Sequence, residues 1–317
     1  MAAKSSLLVF AGCAAAQDYP AKPVRLIVPF PAGGNSDVVA RVIVQRAGEP
    51  LGQNIIVENR GGAGGNIGTE VVAKSAPDGY TLLMGVQSAL VVNPFLYDSM
   101  PYDTVRDFAP ITLITDFPLM LVAHPGLPAK SVKELISLAK ARPGQLFVGS
   151  SSPGSGAYLA GELFQSMASL QTDIVLYKGS GNALTDVMGG QTHFMFVGVL
   201  AALPHVKSGR LRALATTGKE RTRVTPDLPT ISEAALPGFE VDAWLGLLAP
   251  AKTSPAIIDR LHSAMLTVLK SPEAEKGLTQ QGATVIGAGP REFARKIQAD
   301  LAKWEKVVRE AGRSRAN

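Results

Sequence analysis

Apolar and polar positions alternate along this chain in short blocks. Residues 24–30 (VRLIVPF) form a nearly unbroken apolar run, as expected of a strand covered on both faces. Val38, Val39, Val42 and Ile43 follow at helical spacing. Residues 55–57 and 81–84 read as two further strands. In the middle, residues 119–123 read as a strand, and Ser131 caps a helix that runs to Ala141 and stops at Pro143-Gly144. Residues 147–148, 174–177 and 194–197 are further short strands, each leading into a helical stretch, and residues 211–216 close the block. Strands alternating with helices predict βαβ units and a parallel sheet. The C-terminal part reads as helical. Ser254 or Thr253 caps a helix with Pro255 at its first position. Phe293, Ile297, Leu301, Trp304 and Val308 then form an apolar stripe on a second helix starting near Pro290, and Gly312 stands where a helix stop belongs. Two α/β blocks of similar size predict two lobes with a cleft at the carboxyl ends of the strands.

Composition narrows the class. The 317 residues are 46% apolar and 18% charged, enough to build a core. The net charge of +5 is scattered, aromatic residues are 6%, and no basic run carries interleaved aromatics, so nucleic acid is not an expected partner. No stretch approaches the roughly 18 apolar residues of a membrane span. Residues 1–17 (MAAKSSLLVFAGCAAAQ) have a basic start, an apolar run and a small-residue end, which fits a signal peptide and an exported, periplasmic protein; the alternative is an apolar terminus without an address. Cys13 is the single cysteine, so no internal disulfide can form. Phe10-Ala11-Gly12-Cys13 also resembles a lipoprotein cleavage box, so Cys13 is either lipidated or discarded with the leader.

Catalytic and metal patterns are sparse. His124, His193, His205 and His262 stand at no metal-ligand spacing, and there is neither a G-x-S-x-G elbow nor a phosphate-binding G-x-x-x-x-G-K-[ST] loop. No metal or cofactor is expected. Five loops rich in Gly, Ser and Asn do recur at strand-to-helix junctions: residues 31–37, 61–68, 86–93, 150–158 and 178–182. Glycine lets backbone N–H groups approach a ligand, and a helix start attracts anions. No arginine cluster of the phosphate-clamp kind accompanies them, so a small carboxylate held by neutral donors fits better than a nucleotide. Arg60, inside one of these loops, either faces the cleft or pairs with Glu58. An enzyme acting on a small acid in the same cleft, and a ligand sensor for a signalling partner, are the competing readings.

At these loops the sequence closely resembles the Bug-type (TctC-like) extracytoplasmic solute receptors of tripartite tricarboxylate transporters. Matching stretches run through the whole chain, among them YPAKPVRLIVPFPAGGNSDVVAR, VENRGGAGGNIGTEVVAKSAPDGYTLLMG, YKGSGNALTDVMGGQ, LPHVKSGRLRALATT and WLGLLAP. The resemblance implies an α/β, type II periplasmic binding protein, with two doubly wound lobes joined by a two-strand hinge. It implies a monomeric receptor, not an enzyme, that closes on a small carboxylate and delivers it to membrane permease subunits. Lobe one would be 18–116 plus 237–317, lobe two 117–236, and the hinge 114–119 and 238–244. The family's ligand loops match Ala32, Gly33, Gly34, Asp37, Gly65, Asn66, Gln87 and Ser88 in lobe one. In lobe two they match Ser152, Gly154, Ser155, Tyr177, Gly179 and Asn182. Asp37 can equally cap the first helix, and Asn66 can equally serve a turn.

The chain departs from the family where His is usual at Tyr158, Pro at Asn182 and Asp at His193. Val197-Gly198 replaces a usual Asp-Asn pair. An apolar Val197 argues for an aliphatic or aromatic mono- or dicarboxylate and against an amino acid. Tyr158 either stacks on a ligand ring or packs in the core.

Overall fold

The computed structural model describes residues 19–151, 155–177 and 179–310. The signal-peptide reading of residues 1–17, with Cys13, lies outside them, as do Ser152 and Gly154.

The chain opens with β1 (Val24–Val28), α1 (Asn35–Leu51), β2 (Ile55–Asn59), α2 (Asn66–Ala73) and β3 (Thr81–Val86). β1 pairs in parallel with both β2 and β3. Its side chains alternate between two faces, as a pleated strand requires. Ile27 joins Val72 of α2 in one apolar layer. Val24, Leu26 and Val28 join Val39 and Ile43 of α1 in the other. That double covering is why the run reads as continuously apolar.

A π-helical turn (Ser88–Val92) and α3 (Asn93–Leu96) lead to β4 (Phe108–Asp116). Two residues later the chain enters a second sheet as β5 (Leu119–Ala123), followed by α4 (Val132–Ala141), β6 (Phe147–Ser150), α5 (Gly156–Ala168), β7 (Asp173–Leu176), α6 (Ser180–Met188), β8 (Phe194–Gly198), α7 (Val199–Lys207) and β9 (Arg212–Thr216). After α8 (Ile231–Ala234) it returns to the first sheet as β10 (Leu245–Pro250), then α9 (Pro255–Leu269), α10 (Pro272–Gln280), β11 (Thr284–Ala288) and α11 (Pro290–Glu310). Serine caps start helices where the sequence places them: Ser131, Ser155 and Ser254 each accept the N–H three residues on.

The six-stranded sheet has the order β11-β4-β10-β3-β1-β2, and the five-stranded sheet β7-β6-β8-β5-β9. The fold is therefore the two-lobed α/β architecture, with strands from both ends of the chain in one sheet and strands from its middle in the other.

The sheets are mixed, which corrects the expectation of purely parallel ones. β10 runs antiparallel to β3 and β4, and β5 antiparallel to β8 and β9. Connectivity explains this. β5 and β10 enter their sheets from the neighbouring lobe, so they start at the edge where the βα strands end. The C-terminal part is also less helical than expected, since it contributes β10 and β11.

Candidate functional site

The cleft begins at the carboxyl end of β1. Residues 29–34 turn the chain into α1, a helix of 17 residues whose N-cap Gly34 offers no side-chain cap. The first helical bond runs from the Val38 N–H to the Gly34 C=O at 3.0 Å. The N–H groups of Asn35, Ser36 and Asp37 precede that ladder, with the helix dipole behind them.

Asp37 holds this turn in shape. Its side chain is 3% exposed. Oδ2 accepts from the Gly33 N–H at 2.9 Å and from Arg41 Nε at 3.0 Å, and Oδ1 accepts from Asn59 Nδ2 at 3.1 Å. Asn59 also donates to the Phe30 C=O at 3.1 Å. The Arg41 guanidinium, helped by the Gly33 and Asn59 donors, holds the Asp37 carboxyl below the usual carboxylate range. The carboxylate ties the turn back to β2 rather than capping α1. Gly33 has φ +86°, which favours glycine, and its N–H is committed to Asp37.

Two adjoining cavities open over this turn. The first encloses ≈ 420 Å3, between Ala32, Gly34 and Ser36 on one side and Val86, Trp244 and Leu245 on the other. The second, also ≈ 420 Å3, lies against lobe two and touches Ser151, Ser155, Ser180, Val197 and Leu200. Asn35, Phe117 and Ala243 line both, so the floor of the combined cleft is the pair of segments that cross between sheets. Among the described residues, no Asp, Glu, Lys, Arg or His lines either cavity. The polar side chains are amides and hydroxyls on largely apolar walls.

Lobe two presents helix starts to the cleft. Ser155 caps α5, its Oγ accepting from the Tyr158 N–H at 3.3 Å and from the Ser151 hydroxyl at 2.8 Å. Among the described residues its own hydroxyl hydrogen has no acceptor, which leaves it for a ligand. Ser180 opens α6 behind Gly179, and α7 follows Gly198; neither helix has a side-chain cap.

The structure thus brings Ala32, Gly34, Ser155 and Val197 to the cavities. Other expected residues support the walls. Gly65, at φ +96°, packs where a Cβ would lie 3.0 Å from the Phe30 ring. Asn66 is 3% exposed, and its Oδ1 accepts from Asn93 Nδ2 at 2.7 Å and the Tyr102 hydroxyl at 2.9 Å. It ties α2 to the segments after β3. Tyr158 is 4% exposed in the core of lobe two, so it packs rather than facing a ligand ring. Tyr177 donates its hydroxyl to Asp186 at 2.7 Å. Asn182 is exposed on α6. Gln87 donates its N–H to the Trp244 C=O at 3.2 Å at the cavity floor, and its buried Nε2 has no hydrogen-bond partner. Ser88 opens the π-helical turn beside it. Arg60 pairs with Glu58.

Among the lining residues that the sequence reading does not single out, five are instructive. Asn35, Ser36 and Ser180 lie inside loops it had marked, next to residues it had chosen. Phe117 and Ala243 carry no local signal, because their position follows from the crossing of distant segments. Trp244, at the end of the expected hinge segment, is fully buried yet also walls the first cavity.

Comparison with known proteins agrees with this arrangement. Residues 39–313 match the family model described as tripartite tricarboxylate transporter family receptor. The chain is 41% identical over 298 residues to protein BugT of Bordetella pertussis, covering 94% of this chain and 91% of BugT. Among solved structures, Rpa4515 of Rhodopseudomonas palustris with adipate is 38% identical, with a TM-score of 0.75, covering 93% of this chain and 99% of that one. MatC of the same species, with bound malate, is 34% identical, with a TM-score of 0.72, covering 92% of this chain and 100% of that one. The matched family model describes a receptor. The chain belongs to the tripartite tricarboxylate transporter receptor family.

Proposed function

We propose that the protein captures a small carboxylate between its lobes, in the periplasm, and delivers it as a monomer to membrane permease subunits of a tripartite tricarboxylate transporter. One observation carries the reading. The cleft between the sheets is lined by helix starts, hydroxyls and amides, and no charged side chain among the described residues reaches it. Such donors replace the hydration of an anion without supplying a reacting group. That Rpa4515 holds adipate and MatC holds malate supports a carboxylate.

The ligand contacts are assigned to Ser155 and to the backbone of Ala32, Gly34 and their neighbours. Gln87, Ser88 and Gly179, next to the lining residues Val86 and Ser180, are assigned contacts through bridging waters, which hold nearly as well as direct bonds. Gly33, Asp37, Gly65 and Asn66 act behind them. Residues 18–116 with 237–317 form one lobe and 117–236 the other. Closure follows only from a ligand's differential affinity for the closed form.

Val197, Leu200, Phe117 and Ala243 put apolar surface into the second cavity beside the hydroxyls of Ser151, Ser155 and Ser180. An α-ammonium group would lose its hydration there with no carboxylate to meet it. The favoured ligand is therefore an aliphatic or aromatic mono- or dicarboxylate rather than an amino acid.

A thermal-shift screen of carboxylates tests this directly. A ligand at 100 times its Kd raises stability by about 2.7 kcal/mol. Adipate, or an aromatic acid, should raise Tm by several degrees and aspartate should not. Aspartate or glutamate binding more tightly than apolar carboxylates in calorimetry would refute the assignment of Val197.

A further inference from the structure

Each segment that joins the lobes carries an aspartate, half-buried in one and buried in the other. Asp116 ends β4, and Asp242 stands on the return segment, where it pairs with Pro118 in an antiparallel bridge. Thr217 fastens the two segments together: its Oγ1 accepts from the Leu119 N–H at 2.8 Å and donates to the Val241 C=O at 2.6 Å. Asp242 is 3% exposed, and neither its Oδ1 nor that of Asp116 has a hydrogen-bond partner.

The charges around them do not balance. From β11, Thr284 stands opposite Asp116 in the antiparallel ladder. From α11, Lys296 Nζ reaches Glu240 Oε1 at 2.6 Å and Asp300 Oδ1 at 3.3 Å. Lys303 Nζ lies 3.2 Å from Asp300 Oδ1 and 3.1 Å from the Glu240 C=O. The two ammonium groups are thereby matched to Glu240 and Asp300. Lys219 and Glu220, in the segment after Gly218, are exposed to solvent. Asp116 and Asp242 make no ion pair of their own and feel these ammonium groups only at longer range. Among the described residues no group of three acidic, histidine or cysteine side chains could hold a metal ion in their place.

We propose that Asp116 and Asp242 form a proton-binding pair in the hinge, and that its charge state sets the angle between the lobes. Burial lifts the Asp116 carboxyl to about 6, and burial together with the charges of Asp116 and Glu240 pushes Asp242 well up. While the pair holds a proton, the crossing segments lie side by side as observed. When it loses that proton, two like charges face each other in a low-dielectric site, and twisting the segments apart relieves them. The observed geometry is thus the one favoured while the pair keeps one proton, and it is lost as the pH rises past the point where that proton leaves. Trp244 connects the pair to the cleft: its ring walls the first cavity while its Nε1 donates to Asp300 at 2.7 Å. The inference does not depend on which solute binds.

The test uses the ligand-free protein. Trp244 and Trp304 are the two tryptophans, so Trp304→Phe leaves Trp244 as the sole emitter; Trp304 Nε1 has no hydrogen-bond partner to lose. Emission and the radius of gyration from small-angle scattering are followed from pH 5 to pH 9. Both should change together as the pair gives up its last proton, with a midpoint above pH 6, the lobe equilibrium shifting about tenfold per pH unit at its steepest, the limit for one proton. Asp242→Asn and Asp116→Asn should each abolish the transition. In the otherwise unaltered protein, carboxyl 13C resonances should show one aspartate still protonated near neutral pH, a readout that needs no variant to fold. A flat response in both observables, a transition unchanged in both Asn variants, or ionisation of both aspartates by pH 5 would overturn the proposal.

Discussion

Replacing Asp37 by Asn keeps the side chain's shape and removes its charge. The consequence follows from the geometry. Both carboxylate oxygens accept: Oδ2 from Gly33 N–H and Arg41, Oδ1 from Asn59. An Asn side chain, in either orientation, places an NH2 group against a donor. At least one charge-assisted hydrogen bond is lost at a site 3% exposed, a loss of about 1.5–3 kcal/mol. The Arg41 ion pair adds little, because that guanidinium is 52% exposed and such pairs contribute about 0.2–1 kcal/mol. The expected destabilisation is about 2–3 kcal/mol, a Tm drop of roughly 4–10 °C. Affinity for a carboxylate such as adipate should fall about tenfold or more, since residues 31–34 lose the anchor that presents them to the cavity. Calorimetric scans at neutral and acidic pH check a second consequence. The Asp37 carboxyl is held below its unfolded value, so its stabilisation is present above the ordinary carboxylate range and is lost as the pH falls through it. The gap between the two proteins should therefore narrow in acid. Equal Tm values at neutral pH, or a gap that does not narrow in acid, would refute the role given to this carboxylate.

Gly34→Ala separates binding from folding: a Cβ there meets only the Pro31 C=O at 3.6 Å, and the backbone at φ −79° suits any residue. Thermal unfolding should move by less than about 1 kcal/mol, while calorimetric affinity falls at least about tenfold; unchanged affinity would remove this turn from the site. Ser155→Ala removes both a helix cap and a ligand donor, so scanning calorimetry should show a loss of about 1 kcal/mol, accompanied by a larger loss of binding energy. Arg223→Ala breaks an ion pair to Glu275 that joins the lobes at 2.6 Å, but Arg223 is 84% exposed. Stability should change by less than about 1 kcal/mol, and the effect should vanish at high salt.

The sequence made β1 legible because burial on both faces leaves a continuous apolar run. It made α4, α9 and α11 legible because caps and 3.6-residue stripes are local. β4, β10 and β11 escaped for a common reason. Each has its apolar run interrupted, by Pro110, Gly246 and Gly287. Their antiparallel direction follows from passage between lobes, which no local pattern encodes. The site divides similarly. Its glycine-rich turns and Ser155 were visible as strand-to-helix junctions. The role of Asp37 was not, because the direction of its carboxylate depends on Asn59, 22 residues away. Asp116, Asp242 and Lys296 carry no motif at all; only the crossing of the chain gathers them beneath the cleft.

The most direct test is a crystal structure of the protein with a bound aliphatic dicarboxylate such as adipate. A carboxylate group should lie between the start of α1 and the start of α5, within hydrogen-bond distance of Ser155 Oγ or of the backbone N–H groups following Gly34, with its methylene chain against Val197 and Phe117. A solute bound away from both helix starts, or one neutralised by a lysine or arginine side chain, would contradict the account.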